Sequence, residues 1–441
     1  MKPTSLASAL LWAGLLPLVG SLPAEDKKPD PFIKKDTLPA AESSQGTAKR
    51  MNLLHCCELI EVSLDQYHAW QASHPAADDR TLRGEVQQWI QAKQASVLDT
   101  SFVASLPGRR SLVTSVREQI FPTSFDSSGP GNAYPATFET QNVGQKFELD
   151  ASLNPSGTID IACAPERVEA GGEFPPVPEL EGPVQKGDIR WPVFRSWRPT
   201  LSIAMATGEC RLLGSAPCPA DPARARLFFL RSEAAAPEAS AKSSGSSQVR
   251  IRFECFDVPQ DLLAADLEKE TLQSLAGETL RKQALASLTD GTGRLGATLT
   301  VQTTSGQRVR LDADEQHRYA KEFTPGKNDE MPSHPQHIMV RTIGFTAEFD
   351  PVVDSAGGFA DISFSFDQVT RSGDSVHSRR LDNQGRWVPD VTMPIFYVER
   401  ITSQVTVSPG KPFLVGITTP PGPDGTSAID RKRLVFLTVD F

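Results

Sequence analysis

The sequence repeats itself at a nearly constant distance, and this repeat limits the folds open to the chain more than any other feature. "ELIEVSLDQYHA", from Glu58, matches "ECFDVPQDLLAA", from Glu254, and "RLFFL", from Arg226, matches "RLVFL", from Arg433. The offset drifts only from 196 residues (254 minus 58) to 207 residues (433 minus 226). Because order and spacing are both kept, we expect two homologous domains in tandem.

A strand pair near the end of each copy is repeated once in a well-formed version and once in a degraded one. "WPVFRSWRPTLSIAMATGECRLLG", from Trp191, corresponds to "MPIFYVERITSQVTVSPGKPFLVG", from Met393, and Pro199 interrupts the first copy alone. Proline cannot donate to a strand ladder, so the first copy is expected to pair less completely. The repeated positions that we expect to be core or assembly elements are Gly144 and Gly344, Phe194 and Phe396, Gly208 and Gly410, and Gly214 and Gly416.

Each copy has a helical pattern near its start and strand patterns afterwards. Apolar residues at helical spacing are Leu82, Val86, Trp89 and Ile90 in the first copy and Leu272, Leu275 and Leu280 in the second. Ile362, Phe364 and Phe366 alternate with polar residues, which indicates a strand with one buried face. The predicted fold class is therefore α+β, with a helix pair supporting antiparallel β-sheet hairpins in each of two domains.

Composition changes divide the chain into five segments. Residues 1–24 have a basic residue, an apolar run and small residues, as in a secretory signal peptide, so we expect an exported protein of the periplasm or outer membrane. Residues 25–50 are predicted to be a flexible leader and residues 232–248 a low-complexity linker. The two domains are expected at 51–231 and 249–441.

Charge and cysteine content restrict the partners and the compartment. The net charge of −9 and the pI near 5.4 argue against nucleic acid as a partner. Six cysteines in an exported chain would meet an oxidising compartment, where disulfides persist. Cys210 and Cys218, which are close in sequence, are the predicted disulfide pair, with free buried thiols as the alternative.

Three short motifs suggest chemistry but lack the context that the chemistry needs. "GTGRLG", from Gly291, follows a helix and precedes a strand, the reverse of a dinucleotide site, so we expect a helix-to-strand loop. "HCC", from His55, lies on a strand whose neighbours point to opposite faces, which favours buried thiols over a metal site. His334 and His337 are expected to be an exposed, solvated pair, with a weak zinc or copper contact as the alternative. Trp191 and Trp197 are expected to be packing residues. No catalytic residue, cofactor site or metal site is predicted.

The ordered motifs of both halves resemble the C-terminal secretin domain of type II and type III secretion and type IV pilus machines. In the first half the resemblance is carried by "LPGRRSLVTSVREQIFPTSFD", from Leu106, and by "FETQNVG" and "GTIDI" in the run from Phe138. In the second half it is carried by the closing stretch from Met393 and by the final "RLVFLTVDF". The membrane-inserting "VPlLGdIPllGrLF" stretch of the family is missing after Gly214 and after Gly416.

The resemblance implies a non-enzymatic structural or accessory part of a secretion or pilus-type apparatus. Its partners would be envelope proteins, including other copies of itself. Two alternatives stay open at the level of the sequence: a true outer-membrane channel subunit, and a free-standing periplasmic or surface binding module.

Overall fold

A computed structural model describes residues 50–126, 134–171, 192–218, 220–238, 248–269, 271–327 and 330–441. Residues 49–441 form one compact unit. The predicted signal peptide, nearly all of the predicted leader, and Trp191 lie outside the described residues. Below, residues 50–238 are called the first half and residues 248–441 the second half.

Each half follows the same order of elements: a strand, helices, and then a long series of strands. The first half contains β1 (Asn52–Ser63), α1 (Leu64–Ser73), α2 (Asp79–Gln91), β2 (Ser96–Ser105), β3 (Arg109–Asp126), β4 (Tyr134–Leu153), β5 (Thr158–Gly171), β6 (Val193–Trp197), β7 (Leu201–Ala206), β8 (Glu209–Cys218) and β9 (Asp221–Ala235). The second half contains β10 (Gln248–Pro259), α3 (Gln260–Lys269), α4 (Leu272–Leu275), α5 (Glu278–Thr289), β11 (Arg294–Thr304), β12 (Val309–Thr324), β13 (His334–Val353), β14 (Ala360–Leu381), β15 (Trp387–Val407), β16 (Phe413–Thr418) and β17 (Arg431–Asp440).

These strands form two large antiparallel sheets that pack face to face. The eight-stranded sheet has the order β11-β10-β17-β16-β2-β1-β9-β8. The nine-stranded sheet has the order β12-β13-β14-β15-β3-β4-β5-β6, with β7 also paired to β5. Phe253 of β10 contacts Phe349 of β13 and Phe366 of β14, with ring centroids 5.9 and 5.0 Å apart, so the core lies between the sheets.

The predicted α+β class, with a helix pair supporting each sheet, is wrong: the chain is mostly β. The main apolar face of each sheet is buried by the other sheet, which leaves the helices with a smaller role. In the first half, Leu82, Val86 and Trp89 of α2 are buried in a separate small cluster beside β8 and β9. In the second half the predicted helix is divided, with Leu272 and Leu275 in α4.

The two halves share both sheets and are not separate bodies. In the eight-stranded sheet β16 pairs with β2, and in the nine-stranded sheet β15 pairs with β3. The predicted linker is also shorter than expected, because residues 232–235 belong to β9 and pair with the start of β1, and Gln248 already begins β10.

Gly144 and Gly344 occupy the same place in the two halves, where a long strand leaves one of its neighbours. β4 pairs with β5 only from Gly144 onward, and β13 pairs with β14 only from Gly344 onward. Their φ values are +140° and +122°, and a Cβ at either position would overlap the facing carbonyl oxygen, of Ser115 or of Ala313. Only glycine meets both conditions without strain.

Beyond these glycines, the ends of six long strands close on themselves. β12, β13, β14, β15, β3 and β4 are paired in succession, and Glu322 of β12 pairs with Thr137 of β4 to complete the cycle. Its interior is a small apolar cluster that includes Phe138, Met393 and Phe396.

Several irregularities and one ion pair also recur at equivalent positions. Arg83 donates two hydrogen bonds to Glu58 at 2.9 Å, and Arg281 donates two to Glu254 at 2.9 and 2.8 Å. Strand register shifts occur in both halves, between Leu59 and Ile60 and between Cys255 and Phe256, and again between Leu212 and Gly214 and between Leu414 and Gly416.

Candidate functional site

The junction between the two halves contains several buried polar and charged side chains. In the nine-stranded sheet, residues 396–402 of β15 pair with residues 112–118 of β3. In the eight-stranded sheet, Gly416 and Ile417 of β16 pair with Val103 and Phe102 of β2. The halves are therefore held together by backbone pairing in both layers.

Of the residues singled out by the repeat, Phe396 and Gly416 lie at this junction, whereas their counterparts Phe194 and Gly214 lie on the outer strands β6 and β8. A Cβ at Gly416 would overlap the side chain of Ile401, so the missing side chain lets β16 approach β15. Phe396 is fully buried, whereas its counterpart Phe194 is half-buried and contacts Phe121 with ring centroids 5.3 Å apart. A Cβ at Gly214, the counterpart of Gly416, would make only an ordinary contact with Pro199, at 3.7 Å.

Gly208 lies in the turn between β7 and β8, and Gly410 lies in the corresponding turn between β15 and β16. Both have φ values in the left-handed region, +77° and +72°. The amide of Gly208 donates to the carbonyl of Ser232 at 2.7 Å, and that of Gly410 donates to the carbonyl of Val439 at 2.8 Å. Both turns therefore anchor to the neighbouring strand in the same way.

A buried charge pair crosses the junction. Lys432 of β17 is completely buried, and its Nζ lies 3.5 Å from an oxygen of Asp99 in β2, which is 1% exposed. The Thr419 hydroxyl bridges them, since it lies 2.7 Å from Lys432 Nζ and donates to Asp99 at 2.6 Å. Burial lowers the pKa of Lys432, and the carboxylate of Asp99 opposes that shift. Removing either charge would leave the other alone in the core.

A second buried network lies beside the first in the second half. Arg433 donates to both oxygens of Asp257, at 2.6 and 2.9 Å, and it also contacts Glu399. Burial raises the pKa of Glu399, and the charge of Arg433 opposes that shift. Burial lowers the pKa of Arg433, but the carboxylates of Glu399 and Asp257 outweigh this effect, so the pKa of Arg433 is raised. The remaining Glu399 oxygen accepts from Thr418 at 2.7 Å. The charges are thus satisfied by each other, and they hold β10, β15 and β17 in register.

Neutral hydrogen bonds complete the junction. Asn52 of β1 donates from its amide to the Thr406 carbonyl at 2.8 Å and accepts from the Thr406 amide at 2.9 Å. The Ser403 hydroxyl donates to the Ala104 carbonyl at 2.6 Å and lies 2.9 Å from that of Ser111. Every one of these contacts joins the first half to the second.

The charge pair belongs to this junction alone. With the offsets of the repeat, the two charges and the bridging threonine correspond to apolar residues elsewhere: Asp99 to Ala297, Thr419 to Pro217, and Lys432 to Ala225. Sequence reasoning missed these polar residues because a charged side chain in or beside a strand usually marks a solvent-exposed position. The available signal was the run "RKRLVFLTVDF", in which three basic residues open a strand that is otherwise mostly apolar.

The predicted Cys210–Cys218 disulfide is not formed. All six cysteines lie in the described part of the chain and all are free. Cys210 and Cys218 are eight residues apart on the single strand β8, so their Cα atoms are about 26 Å apart at the usual strand rise. A disulfide needs Cα atoms within about 7 Å.

The other candidate motifs take structural positions. The first three residues of "GTGRLG", 291–293, form the predicted loop between α5 and β11, and the last three already belong to β11. His334 and His337 are exposed, and no group of three or more metal-ligating side chains occurs among the described residues. Trp197 is buried, and the Arg226 guanidinium lies 3.8 Å from its ring centroid, which is a packing role.

His55 is fully buried on β1, with Nδ1 2.9 Å from the Ser232 hydroxyl and Nε2 3.3 Å from the Ser105 hydroxyl. Burial lowers its pKa from 6.5 to about 3. The adjacent thiols of Cys56 and Cys57 are also buried, and burial raises the pKa of both.

This histidine gives a prediction for acid stability. Between pH 6.5 and about 3 the unfolded chain binds a proton that folded His55 does not, so stability is expected to fall as the pH is lowered through that window. The expected slope is up to about 1.4 kcal/mol per pH unit. Urea unfolding across this range should show a flatter profile for His55→Asn than for the unaltered chain; parallel profiles would contradict the assignment.

No helix among the described residues is both long enough and apolar enough to cross a membrane.

No protein-family model and no curated protein matches the sequence. Among solved structures, the chain is similar to Aeromonas hydrophila ExeD, at 12% identity and a TM-score of 0.21, over 42% of this chain and 49% of that one. It is similar to the type II secretion system secretin GspD of E. coli K12, at 11% identity and a TM-score of 0.21, over 42% and 50%.

A third similar structure is the Salmonella SPI-1 type III secretion injectisome secretin InvG, at 12% identity and a TM-score of 0.24, over 55% of this chain and 77% of that one. The chain spans about half the length of the ExeD and GspD chains that it matches. TM-scores this far below 0.5 do not establish a common fold.

Proposed function

We propose that this chain is a non-enzymatic structural or accessory component of a secretion or pilus-type apparatus, built from two tandem copies of a secretin-like unit. The observation that carries the proposal is the junction, where the two copies join strand to strand in both sheets at once. Such a junction uses a general property of sheets, since an open strand edge binds another strand through its backbone. A chain organised in this way is suited to assembly.

The shared details of the two halves support the proposal of two copies. Three features fall at matching positions in the two halves: Gly144 and Gly344, the strand register shifts, and the bidentate Arg–Glu pairs. The distance along the chain between the two members of each feature agrees with the offset of the repeat. The motifs that resemble secretins form consecutive strands: the run from Phe138 forms β4 and β5, and the stretch from Met393 forms β15 and β16.

The chemistry of the junction supports a structural role over an enzymatic one. The charged side chains are buried in two pairs, Lys432 with Asp99 and Arg433 with Glu399. Catalytic groups would instead need access to a substrate. The segment 1–24, which resembles a signal peptide, supports export to the periplasm or outer membrane. Because the membrane-inserting stretch of secretins is missing from both copies, the proposal does not include a pore.

The test is removal of the chain from its own bacterium. We expect proteins that leave through the envelope apparatus to accumulate inside the cell, and export to return when the full-length chain is supplied. A copy without residues 1–24, made in equal amount, is the matched control and should not restore export. Unchanged export in the absence of the chain, with the protein recovered from the cytoplasm, would contradict the proposal.

A further inference from the structure

A row of paired residues crosses five strands of the nine-stranded sheet on the face that meets the other sheet. It begins at Glu399 of β15 and ends at Trp197 of β6, and the residues between them are Ser115 of β3, Gln145 of β4 and Arg167 of β5. Directly paired residues of antiparallel strands share one face of a sheet. All five side chains therefore lie between the two sheets.

Contacts with other elements limit the space around the middle of this row. The Ser115 hydroxyl accepts from the Thr419 amide at 3.1 Å, and the Arg226 guanidinium lies 3.8 Å from the centre of the Trp197 ring. Ser115 and Trp197 are three strands apart, which is about 14 Å at the usual strand spacing. A group bound between these two contacts has to be small.

Gln145, in the middle of the row, has no use for its side-chain amide within the described part of the chain. It is 2% exposed, and neither Nε2 nor Oε1 has a hydrogen-bond partner there. Buried amides almost always have partners, from the protein or from a bound group. Gln145 therefore marks a place where a group outside the chain can bind.

Three guanidinium groups around Gln145 also have unused buried donors. The Nη1 atoms of Arg167 and Arg226 are buried without a partner among the described residues. The same holds for Nε of Arg117, which follows Ser115 by two residues on β3 and so lies on the same face. Arg117 is half-buried and forms no hydrogen bond or ion pair within the described ranges.

The arginines outnumber the carboxylates beside this row. Glu169 contacts both Arg167 and Arg226, at 3.4 and 2.9 Å. Glu61 is likewise shared, between Arg226 at 3.1 Å and Arg224 at 3.3 Å. Three guanidinium groups thus share two carboxylates, which leaves an excess of one positive charge.

Two further cations have their pKa values lowered at this place. Burial is the main cause for Lys432, and the charge of Arg167 lowers its pKa further, so these two cations are close enough to repel each other. Burial also lowers the pKa of Arg117, and the exposed carboxylate of Asp424 opposes that shift. A negative charge beside Gln145, which lies between Arg117 and Arg167 in the sheet, would offset both effects.

We propose that a small monovalent anion of the size of chloride binds between the sheets beside Gln145. The unpartnered atoms favour an anion over water, because four of them are donors and one is an acceptor. The donors are Arg117 Nε, Gln145 Nε2, Arg167 Nη1 and Arg226 Nη1, and the acceptor is Gln145 Oε1. The anion would bind residues of the first half beside the buried Lys432 of the second half, and its presence does not depend on a role in secretion.

Bromide gives the direct test, because it replaces chloride and scatters X-rays anomalously. Crystals of the full chain grown in bromide should show an anomalous peak within hydrogen-bonding distance of Gln145 Nε2 and Arg167 Nη1. An ordered water at that position, with no bromide, would overturn the proposal.

Thermal unfolding in solution separates binding from screening. Sodium chloride is compared with sodium gluconate at equal concentration, since gluconate is too large for the space. A ligand that binds only the folded chain stabilises it, so the unfolding temperature should be higher in chloride by about 2 °C or more. A bromide peak together with equal unfolding temperatures would mean an adventitious ion only, which also overturns the proposal.

Charge variants then locate the effect. Gln145→Glu places a carboxylate beside Arg117 and Arg167, so the difference between chloride and gluconate should disappear. Gln384→Glu adds the same charge in the exposed turn between β14 and β15 and should keep the difference. If Gln145→Glu does not fold, Arg117→Gln is the second variant, and it should need about tenfold more chloride for the same rise. An unchanged response to chloride in the variant that folds would contradict the assignment.

Discussion

Replacing Asp99 with alanine is expected to destabilise the folded chain by about 3–5 kcal/mol. The change leaves the Lys432 ammonium completely buried without its counter-charge, and it removes the acceptor of the Thr419 hydroxyl. Desolvation is costly for an isolated charge, and the attraction of Asp99 now offsets it. Urea unfolding at neutral pH, followed by far-UV circular dichroism, measures the difference.

Two further variants make this prediction specific. Asp150→Ala removes an exposed carboxylate from β4 and is expected to change stability by less than about 0.5 kcal/mol. Asp99→Ala combined with Lys432→Met removes both charges and should recover most of the loss, since a buried pair replaced by apolar groups is often close to neutral. If the double variant were as unstable as Asp99→Ala alone, the unpaired charge could not be the cause.

Replacing Gly344 with alanine is expected to cost about 3 kcal/mol or more. The φ of +122° is unfavourable for any residue with a side chain, and the new Cβ would overlap the carbonyl oxygen of Ala313 across the strand pair. Gly144→Ala should have a similar effect, because that glycine has the same relation to Ser115. Thermal or urea unfolding of the two variants provides the comparison.

Glycines with only part of this environment serve as controls. Gly208 has a positive φ but open space around its Cα, so Gly208→Ala should cost only about 1 kcal/mol of backbone strain. Gly358 has neither feature, and Gly358→Ala should be tolerated. Equal costs at all four positions would mean that the close approach at Gly144 and Gly344 has no special importance.

Local patterns in the sequence predicted local structure well. The alternation at Ile362, Phe364 and Phe366 indicated one buried face, and all three side chains are buried. The helical spacing of Leu82 and Val86 was also confirmed, because both are buried residues of α2. In these segments periodicity and burial are set by the same few neighbouring residues, so short windows of sequence are informative.

The arrangement of the elements could not be predicted in the same way. Pairing of β15 with β3 joins residues almost 300 positions apart, and nothing within either strand specifies its partner. The expected fold class was wrong for this reason: the two sheets bury each other, and that contact is invisible in a local pattern. Asp99 and Lys432 were missed because burial of a charge depends on a partner from the other half. The disulfide prediction failed because Cys210 and Cys218 lie on one extended strand.

Two copies of one unit are expected to form a single cooperative folding unit, because strands of the two halves pair in both sheets. Differential scanning calorimetry of the intact chain tests this most directly. If both sheets run through both halves, the chain should unfold in one transition. Asp99→Ala, a change in the first half, should then lower the temperature of the whole transition. Two separate transitions, with Asp99→Ala shifting only one of them, would show independent domains and contradict the account.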